Sequence, residues 1–174
     1  ANRLIGDLQD CAQLAAGKLQ VRLTLCAPRR LLDVVVDHYQ AILREHELTL
    51  EVTASEGLPE VLADRARALQ ILENLMENAI MFTPEGGKIQ LRADEIDGAI
   101  RFAVSDSGPG IAKAHLAALL TPFWQGRPTD QPAAALGLSV ASGLAEAQGG
   151  RLWVESEEGR GATFFFTLKA LARS

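Results

Sequence analysis

Apolar residues return every three or four positions over residues 3–19, where Leu4, Leu8, Cys11 and Ala15 make one line and Ile5, Ala12 and Leu19 stand seven apart. That spacing predicts a helical seam, interrupted near its end by Gly17. Residues 19–26 (LQVRLTLC) then alternate apolar and polar until Pro28, a residue suited to a helix start. Leu31, Leu32, Val35, Val36, Tyr39, Ile42 and Leu43 follow at helical spacing and predict a helix over 29–46. Alternation at 48–53 predicts a strand, and Gly57, Pro59 and a short apolar run at 61–63 lead to Asp64. Asp64 caps a long helix over 64–82, which Thr83, Pro84, Gly86 and Gly87 terminate. Strands at 88–93 and 99–105 read as a hairpin around Asp97 and Gly98. A short helix over 112–120 precedes an irregular stretch holding Pro122, Gly126, Pro128 and Pro132. A helix over 138–148 stops at Gly149 and Gly150, and strands at 151–156 and 163–168 flank a turn at 157–161.

Five strands and three substantial helices in this order predict an α+β fold, a two-layer α/β sandwich whose mostly antiparallel five-stranded sheet packs on three helices. A length of 174 residues suits a single core. A net charge of −5 weighs against a nucleic-acid groove or an anionic membrane surface, so no nucleic-acid partner is expected. The apolar runs fall well short of the roughly 20 residues of a membrane span, and the chain reads as soluble. Cys11 and Cys26 have no CxxC spacing and no histidine cluster beside them, which predicts reduced thiols in a cytosolic setting.

On a helical wheel, residues 64–82 place Leu69, Leu72, Leu75, Met76 and Ala79 on one side. Gln70, Asn74, Glu77, Asn78 and Met81 take the other. The polar side reads either as a solvated face or as a ligand wall, since a carboxamide oxygen suits Mg²⁺ whose remaining positions go to phosphate and water. Asp106-Ser-Gly-Pro-Gly-Ile111 reads either as a strand-to-helix turn or as a platform for a flat ligand. In the second reading Gly108 and Gly110 admit close approach and Asp106 accepts a hydrogen bond from an amine. Ala135-Leu-Gly-Leu138 opens the predicted helix over 138–148, where free amides favour phosphate.

Taken in order, these segments resemble a known family. ILENLMENAIMFTPEGG (71–87) is similar to the N box of the sensor histidine kinase ATP-binding domain, DSGPGI (106–111) to its G1 box, and TPFWQG (121–126) to its F box. ALGLSVASGLAEAQGG (135–150) is similar to its G2 box and EEGRGATFFFTL (157–168) to its closing hairpin. The resemblance implies the GHKL (Bergerat) fold, with ATP between the long helix and a lid. It implies Asn78 as the Mg²⁺ ligand, Asn74 on the phosphate side, Asp106 on the adenine amine, and Gly108, Gly110 and Ile111 around the purine. Gly137 and Leu138 would offer amides to phosphate, Phe123 would anchor the lid, and Thr163 would contact the cofactor. Residues 1–27 resemble the second helix and connector of a dimerisation and phosphotransfer hairpin, leaving 28–174 as the catalytic domain. The implied reaction is transfer of the ATP γ-phosphoryl group to a histidine on an upstream helix of its own chain or a partner subunit. The implied protein is a homodimer that answers to a response regulator receiver domain, in a cytoplasmic setting compatible with a larger membrane-bound sensor. His38, His46 and His115 do not stand in the family's acceptor pattern.

Two departures bear on that chemistry. Met81 replaces a usual lysine or arginine, and Ala133 and Ala135 occupy positions where the lid pattern carries glycine. They keep a second reading in play, a non-catalytic or weakly nucleotide-binding interaction module. A third reading, an ATP hydrolase, requires a carboxylate to activate water; position 74 is an amide, which leaves Glu77 as the candidate base.

Overall fold

The computed structural model describes residues 2–116 and 132–172. In chain order the elements are α1 (Asn2–Ala15), β1 (Thr24–Cys26), α2 (Pro28–Glu45), β2 (Thr49–Ala54), β3 (Val61–Ala63) and α3 (Arg65–Phe82). They continue with β4 (Lys88–Ile96), β5 (Ala99–Asp106), α4 (Lys113–Leu116), α5 (Pro132–Ala147), β6 (Leu152–Ser156) and β7 (Ala162–Lys169). Five strands form one sheet in the order β2-β4-β5-β7-β6, parallel between β2 and β4 and antiparallel elsewhere. This is the expected mostly antiparallel sheet.

Alternation along the strands sorts the two faces of the sheet. Ile89 and Leu91 of β4, Ile100, Phe102 and Val104 of β5, and Phe164, Phe166 and Leu168 of β7 are buried in one core with α2, α3 and α5. Phe102 and Phe166, paired across β5 and β7, stack at 4.8 Å between ring centroids. The opposite face carries Arg101, whose guanidinium bonds both oxygens of Asp94, and the stacked pair Trp153 and Phe165. Helix α3 is wrapped by the core, with Ile71, Leu72, Leu75, Met76 and Ala79 all buried. Burial of each of the larger side chains contributes about 1.5–3 kcal/mol to holding the helix against the sheet. Asp64 caps it as expected, accepting from the Arg67 amide at 3.2 Å, while its own amide donates to Gln148 at the end of α5 at 2.7 Å. At the other end, the Thr83 hydroxyl donates to the Ala79 carbonyl at 2.6 Å.

Three local expectations change. The run expected to be irregular through Pro132 ends there: α5 begins at Pro132, six residues before the expected start at Leu138. Proline is well tolerated at the first helical position, and the alanines behind it are the strongest helix formers, so this segment winds rather than loops. The extended segment 19–26 contributes only β1, which pairs antiparallel with β3 as a separate two-stranded ladder. In α1 the predicted seam is not the buried face: Ile5 and Leu8 are exposed, whereas Asp7 is only 5% exposed. Leu14 presses on Gly143 of α5, and the Asp10 carboxylate takes Arg67 at 3.0 Å and Gln70 at 2.7 Å, so contacts to α3 and α5 choose the face. The F box, with Phe123, and the second half of the predicted helix over 112–120 lie outside the described residues.

Candidate functional site

The register of the sheet places the site's carboxylate. Asp106, last in β5, pairs with Ala162 of β7, and Ala162 pairs with Ser156 of β6. Side chains in one row share a face, and Asp106 and Ala162 turn toward α3. Thr163 stands one residue away and therefore on the other face, where its hydroxyl meets that of Ser105 at 2.8 Å. The structure thus brings Ala162, not Thr163, to the cleft.

Beyond Asp106 the chain turns through Gly108 and Gly110. The Gly108 amide donates to the Asp106 carboxylate at 2.9 Å, which orients that side chain. A Cβ at position 108 would stand 2.7 Å from the Phe82 carbonyl, so this glycine lets the turn pack on the end of α3. Gly110 has a φ of +75°, and a Cβ there would collide with the Glu157 carbonyl. A cavity opens between these pieces. Asn78 and Phe82 of α3 form one wall, Asp106, Pro109, Gly110 and Ile111 a second, and Ala162 and Phe164 the floor.

The two asparagines of α3 are not on a solvated face. Asn74 is 5% exposed and Asn78 is 6% exposed. The Asn74 amide donates to the Gly137 carbonyl of α5 at 2.9 Å. The Asn78 carbonyl oxygen, fully buried, has no hydrogen-bond partner among the described residues. Leaving such an acceptor unpaired costs about 1–3 kcal/mol, a cost that a ligand would offset. Gly137 and Leu138, expected to offer free amides, lie in the second turn of α5, where helical bonds consume their N–H groups. Within a helix starting at Pro132, the unsatisfied amides are those of residues 133 and 134.

Glu77, the candidate base, is turned toward α2: it accepts from the Tyr39 hydroxyl at 3.4 Å and does not line the cavity. Met81 is exposed. Among the described residues no three His, Cys, Asp or Glu side chains gather as a metal cage, so a cation here would lean on Asn78 and on the ligand's own oxygens. Phe82, Pro109, Ala162 and Phe164 were not anticipated as cleft residues. Phe82 was within reach of helical spacing, one turn beyond Asn78, and Ala162 and Phe164 follow from the parity of β7 once its register is known.

Residues 63–172 match the family described as histidine kinase-, DNA gyrase B- and HSP90-like ATPase. Sensor histidine kinase ZraS of Escherichia coli (strain K12) is 36% identical over 137 residues, covering 76% of this chain and 29% of ZraS. ShkA, solved full-length in complex with AMPPNP, superposes with a TM-score of 0.86 at 35% identity, over 98% of this chain and 36% of that one. The catalytic domain of histidine kinase ThkA superposes with a TM-score of 0.77 at 27% identity, over 86% of this chain and 97% of that one.

The chain belongs to the histidine kinase-, DNA gyrase B- and HSP90-like ATPase family. Within it, the chain is a catalytic domain of the sensor histidine kinase type. It spans less than half the length of the first curated relatives it matches, 29% of one and 44% of another.

Proposed function

We propose that this domain binds Mg·ATP in the cleft between α3 and the β5 turn and passes the γ-phosphoryl group to a histidine on a phosphoacceptor helix of its own or a partner subunit. The observation that carries the reading is the orphaned Asn78 oxygen, buried in the wall of the same cavity that Asp106 lines. Asp106, held by the Gly108 amide, accepts the exocyclic amine of adenine; Pro109, Gly110 and Ile111 cover the purine. The Asn78 oxygen fits Mg²⁺, which when bound neutralises phosphate charge. Asn74, one turn earlier and tied to α5, holds the phosphate end of α3 in place. His38, His46 and His115 do not line the cleft, so the acceptor imidazole comes from elsewhere. A response regulator receiver domain, a homodimeric assembly and a cytoplasmic setting complete the proposal.

A second reading, an interaction module that holds nucleotide weakly, is favoured by one observation. Met81, where the resemblance puts a cation, is an exposed thioether without charge. Calorimetric titration with Mg·ATP separates the two. The kinase-domain reading expects saturable binding, weakened about tenfold or more by Asp106→Ala together with loss of preference for adenine over guanine nucleotides. No saturation at millimolar Mg·ATP would leave the module.

A further inference from the structure

We infer that Ser156 is a positioning residue that sets purine selectivity by holding the Asp106 turn, an inference that rests on the nucleotide-binding reading above. Ser156 ends β6 in the same row as Ala162 and Asp106 but does not line the cavity. Its hydroxyl oxygen accepts from the Ile111 amide at 2.8 Å, and the hydroxyl donates to the Gly161 carbonyl at 2.7 Å. One side chain therefore joins the turn that carries the purine wall to the turn between β6 and β7.

The rest of that junction is backbone against backbone. The Gly159 amide donates to the Pro109 carbonyl at 2.7 Å. A Cβ on Gly110 would be driven into the Glu157 carbonyl, and one on Gly161 into the Asp106 carbonyl. The turn at residues 157–161 is thus the mould against which residues 106–111 are cast. Within it the Ser156 hydroxyl acts as acceptor and donor at once, a pair of roles that alanine lacks and threonine keeps. Helix α3 takes no part in these bonds, so the effect of Ser156 falls on the base and not on the phosphates.

The test compares wild type, Ser156→Ala and Ser156→Thr by calorimetry with Mg·ATP, Mg·GTP and Mg·tripolyphosphate, alongside thermal melting and amide NMR. Ser156→Ala is expected to weaken ATP binding about three- to tenfold and to reduce the ATP-over-GTP preference by the same factor, the range of one lost hydrogen bond. Tripolyphosphate affinity stays at the wild-type value and the melting temperature stays within about 4 °C of it. The Ile111 and Gly108 amide resonances shift and exchange faster, and Ser156→Thr restores both selectivity and resonances. An unchanged ATP-to-GTP ratio, an equal loss of tripolyphosphate binding, or a Ser156→Ala that fails to fold overturns the inference. Wild type that binds no Mg·ATP would instead remove the nucleotide reading, and the amide comparison would still decide whether Ser156 holds the turn.

Discussion

The two halves of α3 carry the same residue type at nearly the same depth and put it to different use. In the first half, Arg67, Gln70 and Asn74 all have protein partners, on α1 and α5. In the second, Asn78 is as deeply buried as Asn74, yet its oxygen has none among the described residues. Burial alone does not mark a ligand site. A buried acceptor left unpaired beside a cavity asks for a further explanation, because its desolvation is costly unless something else completes it.

The sharpest way to break this contrast is Asn78→Ala. Mg·ATP affinity should fall about tenfold to a hundredfold, and the wild-type sensitivity to EDTA should disappear, while melting without nucleotide moves by no more than about 4 °C because the Asn78 oxygen has no hydrogen bond to lose among the described residues. Retention of metal-dependent affinity in calorimetry would count against the assignment. Asn74→Ala should behave in the opposite sense. It removes the bond to the Gly137 carbonyl, which keeps its helical donor, and opens a small cavity between α3 and α5, costing about 1–3 kcal/mol of stability, read as a lower melting temperature without any nucleotide present. Glu77→Ala should cost less, about 0.5–1.5 kcal/mol from the lost Tyr39 bond, with nucleotide turnover unchanged; a steady hydrolysis rate abolished by this substitution would reinstate Glu77 as a base.

The far edge of the sheet supplies the smallest effect and a control for both halves. Hydrogen bonds from Lys88 and Gln90 hold the Glu51 carboxyl below its ordinary range. The stabilisation is present above the ordinary carboxylate pKa and is lost as the pH falls through the lowered one. Protection factors of the β2 amides, corrected for intrinsic exchange, should therefore fall in acid, Glu51→Gln should flatten that dependence, and Asn78→Ala should leave it untouched.

Most of the fold was legible because its strands alternate and its helices have firm stops. The long helix was read from Asp64 to Phe82, and the hairpin from the Asp97-Gly98 turn. Pro132 misled because the same ring that breaks a helix interior suits its first position, and only the partner helices show which applies. The face of α1 was hidden for a similar reason: Asp7 is buried against α5, a contact distant in sequence. Within the site, Asn78, Asp106, Gly110 and Ile111, all named from the sequence, line one cavity. Thr163 missed by a single residue, since the parity of β7 is set by its pairing with β5 and not by its own composition.

The order β2-β4-β5-β7-β6 has one more consequence, for synthesis. The last strand in the sequence is an interior one, so while the chain is being translated β6 has nothing to pair with and β5 presents an open edge until β7 is made. A premature stop before residue 162 would release a protein with most of its core and a bare, adhesive flank, which makes such products candidates for aggregation and not merely for loss of activity.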